Sequence, residues 1–234
     1  WGSTYDNRSY YLSNYVDIDI PEYVISPVTT NRTEVRYGAE TITYNVHVQS
    51  SYALTYHWER LTNGEWRAIK TLGLSAEEAR NGQNLSLDIA NFPIGLRDLR
   101  IRLRIDADQF GTAYSNEVSL PIYYPVTGQG LAAGKWYQAG EKVDRAVLNY
   151  DCIAADFKSE KKVETYPTKS GNTEYIGMVM PAAPVEIVLY EPTYTVRFWD
   201  GQSNLLKEEK VKCGGAATAP TAPARTGYTF KGWN

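Results

Sequence analysis

Leu99-Arg100-Ile101-Arg102-Leu103-Arg104-Ile105 places an apolar side chain at every second position and an arginine between each pair. A period of two is the signature of a strand, because successive Cβ atoms point to opposite faces of a sheet. The run therefore predicts one buried face and one wet, basic face, the arrangement of an antiparallel sheet with a single covered side. It leads through the turn-rich Asp106-Ala107-Asp108-Gln109-Phe110-Gly111 into a second strand from Tyr114 to Ile122, which reads as a hairpin. Upstream the same period recurs. Ile42, Tyr44, Val46 and Val48 alternate with Thr43, Asn45 and His47, and Leu85-Ser86-Leu87-Asp88-Ile89 alternates again. Tyr56-His57-Trp58-Glu59-Arg60-Leu61 and Trp66-Arg67-Ala68-Ile69 flank Thr62-Asn63-Gly64-Glu65, and Asn-Gly between two such runs is a strong hairpin signal. One short helical stretch is expected, at Ser75-Ala76-Glu77-Glu78-Ala79-Arg80.

The composition agrees with a mainly β chain. Tyrosine outnumbers phenylalanine by 19 to 5, and an amphipathic ring suits half-exposed sheet surfaces. With 234 residues the chain is long enough for two or three small modules. A net charge of −3 gives no global attraction to nucleic acid or anionic lipid. No apolar run reaches the length of a membrane span. Trp1-Gly2-Ser3 reads as a processed start rather than a native one.

Residues 1–22, rich in Tyr, Ser, Asn and Asp, read as a tail or the end of a preceding module. Residues 23–122 resemble a bacterial immunoglobulin-like β-sandwich. Trp58, the hairpin after it, and the run from Ile105 to Val118 carry the likeness. The antibody-type cysteine pair is absent, so the resemblance is to the wider cell-surface group. Residues 123–192 contain Tyr137-Gln138-Ala139-Gly140-Glu141-Lys142-Val143 and Met180-Pro181-Ala182-Ala183 before an alternating strand. This is similar to divergent members of the internalin B-repeat. Residues 193–234 combine Thr193-Tyr194-Thr195-Val196-Arg197-Phe198-Trp199-Asp200-Gly201, Ala219-Pro220 and Gly227-Tyr228-Thr229-Phe230-Lys231-Gly232-Trp233. That set resembles the internalin-type B-repeat, also called the Listeria–Bacteroides repeat, here without the strand that follows the tryptophan in the family. The resemblance implies a β-grasp-like last module. Trp199 and Trp233 are expected in its core, with Tyr194, Val196 and Phe198 on one strand face.

Catalysis needs a positioned base, nucleophile or metal, and the motifs for these are missing. The two histidines, His47 and His57, alternate with core positions and are expected on the surface. Asp106 and Asp108 are the best metal-like fragment, yet two carboxylates are a fraction of a calcium site. Turn chemistry at the end of a strand is the favoured reading of both. Arg100, Arg102 and Arg104 form a stripe suited to an acidic partner, or to cross-strand pairing with Glu59 and Glu117. Tyr10, Tyr11 and Tyr15 are a candidate platform for a sugar ring or for a neighbouring domain. Cys152 and Cys213 fall in different modules; a bridge between them would lock the angle between modules but needs Cα atoms within about 7 Å, and two separate, mostly buried thiols are the favoured expectation.

No cofactor and no enzyme activity are expected. The resemblance implies a secreted or wall-displayed bacterial protein used as a stalk or for adhesion. A host or neighbouring-cell protein or glycan would be its partner, with no nucleic acid, no membrane insertion within this chain, and a monomeric state. The competing reading is an accessory region that binds carbohydrate or protein for a larger secreted enzyme.

Overall fold

The computed structural model describes residues 23–38, 41–50, 53–74, 83–88, 95–107 and 111–233. The helical expectation at Ser75–Arg80 and the tyrosines Tyr10, Tyr11 and Tyr15 lie outside them, as does Asp108. Among the described residues there is no helix, and strands in several sheets make up the protein. In chain order the first are β1 (Tyr23–Ile25), β2 (Thr29–Thr30), β3 (Val35–Arg36), β4 (Thr41–Val46), β5 (Val48–Ser50) and β6 (Leu54–Thr62). Next come β7 (Glu65–Leu74), β8 (Gln83–Asp88), β9 (Asp98–Ala107), β10 (Gly111–Tyr114), β11 (Val118–Gly128), β12 (Trp136–Gln138) and β13 (Lys142–Leu148). The last are β14 (Ala154–Lys158), β15 (Glu164–Ser170), β16 (Thr173–Val179), β17 (Val185–Tyr190), β18 (Thr193–Trp199) and β19 (Leu205–Lys212).

The chain divides into two compact units, and the division passes through β4, β8, β9 and β11. The first holds Trp1–Asn31, Ile42–Leu87 and Arg100–Ser119; the second holds Arg32–Thr41, Asp88–Leu99 and Leu120–Asn234.

In the first unit β6 pairs with both β7 and β9, and β10 adds to β9, all antiparallel. β2, β4 and β8 form a second sheet, and β1 pairs with β5. The apolar faces meet where the rings of Tyr44 on β4 and Trp58 on β6 lie 6.3 Å apart. Ile42, Tyr56, Ile101, Leu103 and Ile105 fill the same core. The alternation read from residues 99–105 is the one observed, with the leucines and isoleucines buried and the arginines turned outward. The Asn63-Gly64 turn joins β6 to β7 with φ of 52° and 82°, the two left-handed residues that a tight hairpin requires. Burial pushes the Tyr56 phenol up to about 12 and the Tyr44 phenol higher still.

In the second unit β11 is the hub. It takes β12 antiparallel, β3 parallel through Ile122 opposite Val35, and β17 parallel through Val126 opposite Val185. β14 extends this sheet from β17, while β13, β16 and β15 form a separate antiparallel sheet. Tyr124 is fully buried on β11, and its hydroxyl donates to the Leu96 carbonyl at 2.7 Å. Val126, Ala132, Val147, Met178, Val185 and Ile187 complete the core. Gly128 ends β11 at φ 84°, where a side chain would collide with the Ile187 carbonyl.

Residues 193–233 add a two-stranded antiparallel ladder, β18 with β19, followed by a stretch without strands. The Asp200 carboxylate closes the turn, accepting from the backbone of Gln202 and Asn204 and from the Asn204 side chain at 2.8–2.9 Å. Those bonds, the Asn204 side chain first, hold Asp200 below its ordinary carboxylate range.

Three expectations are corrected here. Cys152 and Cys213 are not separate thiols but a disulfide, with Cα atoms 5.2 Å apart. The registers explain it. Ala154 pairs with Tyr190, which brings Cys152 alongside Pro192 two residues further on. Thr193 pairs with Lys212, and the Cys213 amide donates to the Pro192 carbonyl at 3.0 Å, so the hairpin returns Cys213 to the same place. Trp199 is not core but about half exposed, because it neighbours Phe198 on one strand and must face the opposite side. Tyr194 and Tyr228 are exposed too; the ring cluster is Phe198, Phe230 and a half-buried Trp233, with centroids 5.0–5.1 Å apart. His57 points away from the core as expected, but its side chain is only 14% exposed, beside Asp106 on the outer face. His47 is exposed as expected.

Candidate functional site

The outer face of the β10–β9–β6–β7 sheet carries the candidate residues that the structure describes. Register fixes which of them meet. Glu59 stands opposite Arg102 and His57 opposite Arg104 on β6 and β9. Tyr114 on β10 stands opposite Arg104, and Leu61 opposite Trp66 across the β6–β7 hairpin. Residues two apart share a face, so Arg100, Arg102, Arg104, Asp106, His57, Glu59, Trp66 and Tyr114 all project from the same side.

The charges there are interlocked. Glu59, 5% exposed at its side chain, accepts from Arg102 at 2.8 Å and lies 3.6 Å from Arg104. The latter distance is an ion pair rather than a hydrogen bond. Arg104 reaches Asp106 at 3.2 Å, and Asp106 also contacts the His57 ring nitrogen at 3.0 Å and accepts from the Thr112 hydroxyl. Arg100 grips Glu117 through two nitrogens. The Arg100 hydrogen bond, reinforced by the charges of Arg100 and Arg102, holds the Glu117 carboxyl below its ordinary range. The Arg102 guanidinium is stacked between the rings of Trp66 and Tyr114, 4.3 and 4.2 Å from their centroids.

Sequence reasoning reached the Arg–Glu pairs but missed the two rings. Counting outward from the Asn63-Gly64 turn would have put Trp66 opposite Leu61, on the side of Glu59. Tyr114 needed the register of β10, which no residue type announces. Chemically this face is a neutralised lattice: Arg100, Arg102 and Arg104 each already face a carboxylate. Arg97, just before it in sequence and part of the second unit, lies 3.8 Å from Asp98. Among the described residues no group of three or more His, Cys, Asp or Glu is placed to hold a metal ion, and Asp106 is engaged as described. No helix among them is long and apolar enough to cross a membrane.

The second unit offers an open depression of about 340 Å³ lined by Asn149, Pro167, Thr168, Lys169, Glu174 and Tyr175. Lys169 and Glu174 span it as an ion pair at 3.5 Å. The repeat exposes rings instead: Tyr194, Trp199 and Tyr228 are 56%, 50% and 68% exposed.

No curated protein matches the chain at a significant level. A crystal structure of a protein of unknown function from Porphyromonas gingivalis W83 is similar at 17% identity, covering 80% of this chain and 99% of that one, with a TM-score of 0.27. The family described as the Listeria-Bacteroides repeat domain matches residues 194–234, the ladder β18–β19 and the aromatic segment behind it. A Listeria-Bacteroides repeat domain therefore closes this chain, at residues 194–234.

Proposed function

We propose that the chain is a non-catalytic extracellular region of a bacterial surface protein. An immunoglobulin-like sandwich over residues 23–122, a divergent repeat module over 123–192 and the repeat at 193–234 would serve as a stalk and as adhesion or ligand-binding modules. The observation that carries this reading is the Cys152–Cys213 bond, which ties the repeat to the module before it. Disulfides form and persist in oxidising compartments and are rare in the cytosol. The repeat family, typical of surface proteins, supports the same location.

The test is made on the producing bacterium. Protease applied to intact cells is expected to release the chain, and alkylation before reduction is expected to leave both cysteines unlabelled. A protected chain with two alkylated thiols would overturn the proposal.

The exposed rings of the repeat favour a second reading, an accessory region that binds carbohydrate for a larger secreted enzyme, since stacked sugar rings use such surfaces. A glycan-array signal lost on Trp199→Ala would establish it, and an array silent for the unaltered chain would remove it.

A further inference from the structure

We propose that the Cys152–Cys213 disulfide is a tension bypass, which carries a pulling force past the repeat's hairpin so that the hairpin is never loaded. The inference rests on the stalk reading above, in which the chain is drawn between its two ends.

The geometry makes the hairpin the weak point of such a chain. Among the described residues β18 and β19 pair only with each other, and a two-stranded ladder is marginal by itself. The chain enters at Thr193 and leaves at Lys212, and these two residues are partners at the open end of the ladder. A pull on them opens one pair at a time, each break passing the full force to the next pair. Strands pulled lengthwise past one another would instead share the load over all their pairs. Little side-chain packing resists peeling at either end of the ladder: Tyr194 on one face, and Trp199 with its partner Leu205 on the other, are about half exposed.

The disulfide removes this loading. A force arriving at Cys152 crosses the sulfur–sulfur bond to Cys213 and continues towards Asn234. The segment between them, 61 positions along the chain, is left slack. That segment contains β14, β15, β16, β17, β18 and β19 whole. Two non-covalent contacts sit at the same corner: the Cys213 amide on the Pro192 carbonyl, and Lys212 with Glu191 at 3.1 Å. The open end of the hairpin is thereby fastened to the residues that precede it, and the covalent bond fastens both to the sheet of β14 and β17.

The experiment is single-molecule extension of the whole 234-residue chain, held by its two ends, before and after a thiol-free phosphine reductant. The oxidised chain is expected to stop about 200 Å short of the reduced one, from ~3.3–3.6 Å per residue over the closed loop. Only the reduced chain is expected to show an early, low-force release of the hairpin, about 65 Å on the same scale. Cys152→Ser/Cys213→Ser should reproduce the reduced trace without reductant. If that variant does not fold, reduction of the folded wild-type chain on the instrument gives the same comparison. Equal end-lengths before and after reduction would overturn the proposal, as would the early release in the oxidised chain. A chain found inside the cell that still shows the 200 Å difference would sink the surface reading while leaving the bypass standing. A surface-displayed chain without the difference would do the reverse.

Discussion

Glu59 shows how much one side chain can hold on a solvent-facing surface. Its carboxylate is covered while two arginines converge on it. Glu59→Ala strands Arg102 and Arg104 in a half-covered site. The expected loss is about 2–3 kcal/mol in urea unfolding, below the range for a fully buried pair because both arginines keep some water. Arg67→Ala, which removes an exposed partner of Glu65, is expected to change stability by less than about 0.5 kcal/mol. Equal effects would show that the Glu59 lattice is decorative. Glu117 gives the pH signature of the same face. Its folded-state pKa is lowered, chiefly by the Arg100 hydrogen bond, so its stabilising contribution is present above the unfolded value and disappears as pH falls through the folded one. Glu117→Gln is therefore expected to be less stable than wild type near neutrality, with the gap closing below about pH 4. A gap that stays constant down to pH 2 would refute it. At this scale the Arg and Glu residues were readable from period alone, because charges spaced by two must share a face. Trp66 needed in addition a count outward from the Asn63-Gly64 turn, and Tyr114 was not readable, since its placement depends on which residue of β9 stands across from it.

Elements differ in how openly the chain declares them. β9 and the β6–β7 hairpin follow from alternation and from Asn63-Gly64, both local signals. The parallel pairing of β11 with β17 joins Val126 to Val185 and has no local signal at all. It leaves a trace only at Gly128, whose positive φ and tight approach to Ile187 exclude a side chain. Gly128→Ala is expected to lower stability by about 2–4 kcal/mol through backbone strain and the lost ladder contact. Gly171→Ala, in the β15–β16 turn with open space around it, carries the strain of positive φ without the collision and should cost about 1 kcal/mol. If thermal unfolding ranks the two alike, the close approach at Gly128 contributes nothing. The adjacent residues Phe198 and Trp199 mark the limit of motif reading. Trp199 is expected in the core, but a strand cannot bury neighbours on one side; Phe198 packs on Trp233 and Trp199 remains in water.

Across the whole molecule, the disulfide closes a loop spanning 61 positions. Chain-entropy reasoning puts its worth at about 4 kcal/mol. Reduction should lower the unfolding midpoint of the second unit while leaving the first, which contains no cysteine, near its original value. Separate fluorescence and hydrogen-exchange probes on Trp58 and Val185 would follow the two; a uniform shift of both would contradict the assignment. Two cysteines in a mainly β chain said little in advance, because their meeting requires the β14–β17 and β18–β19 registers together. Those same two cysteines bear on how the chain is made. Between these two only one pairing can form, so closing the loop calls for an oxidase to supply the bond and for no choice among partners within these residues.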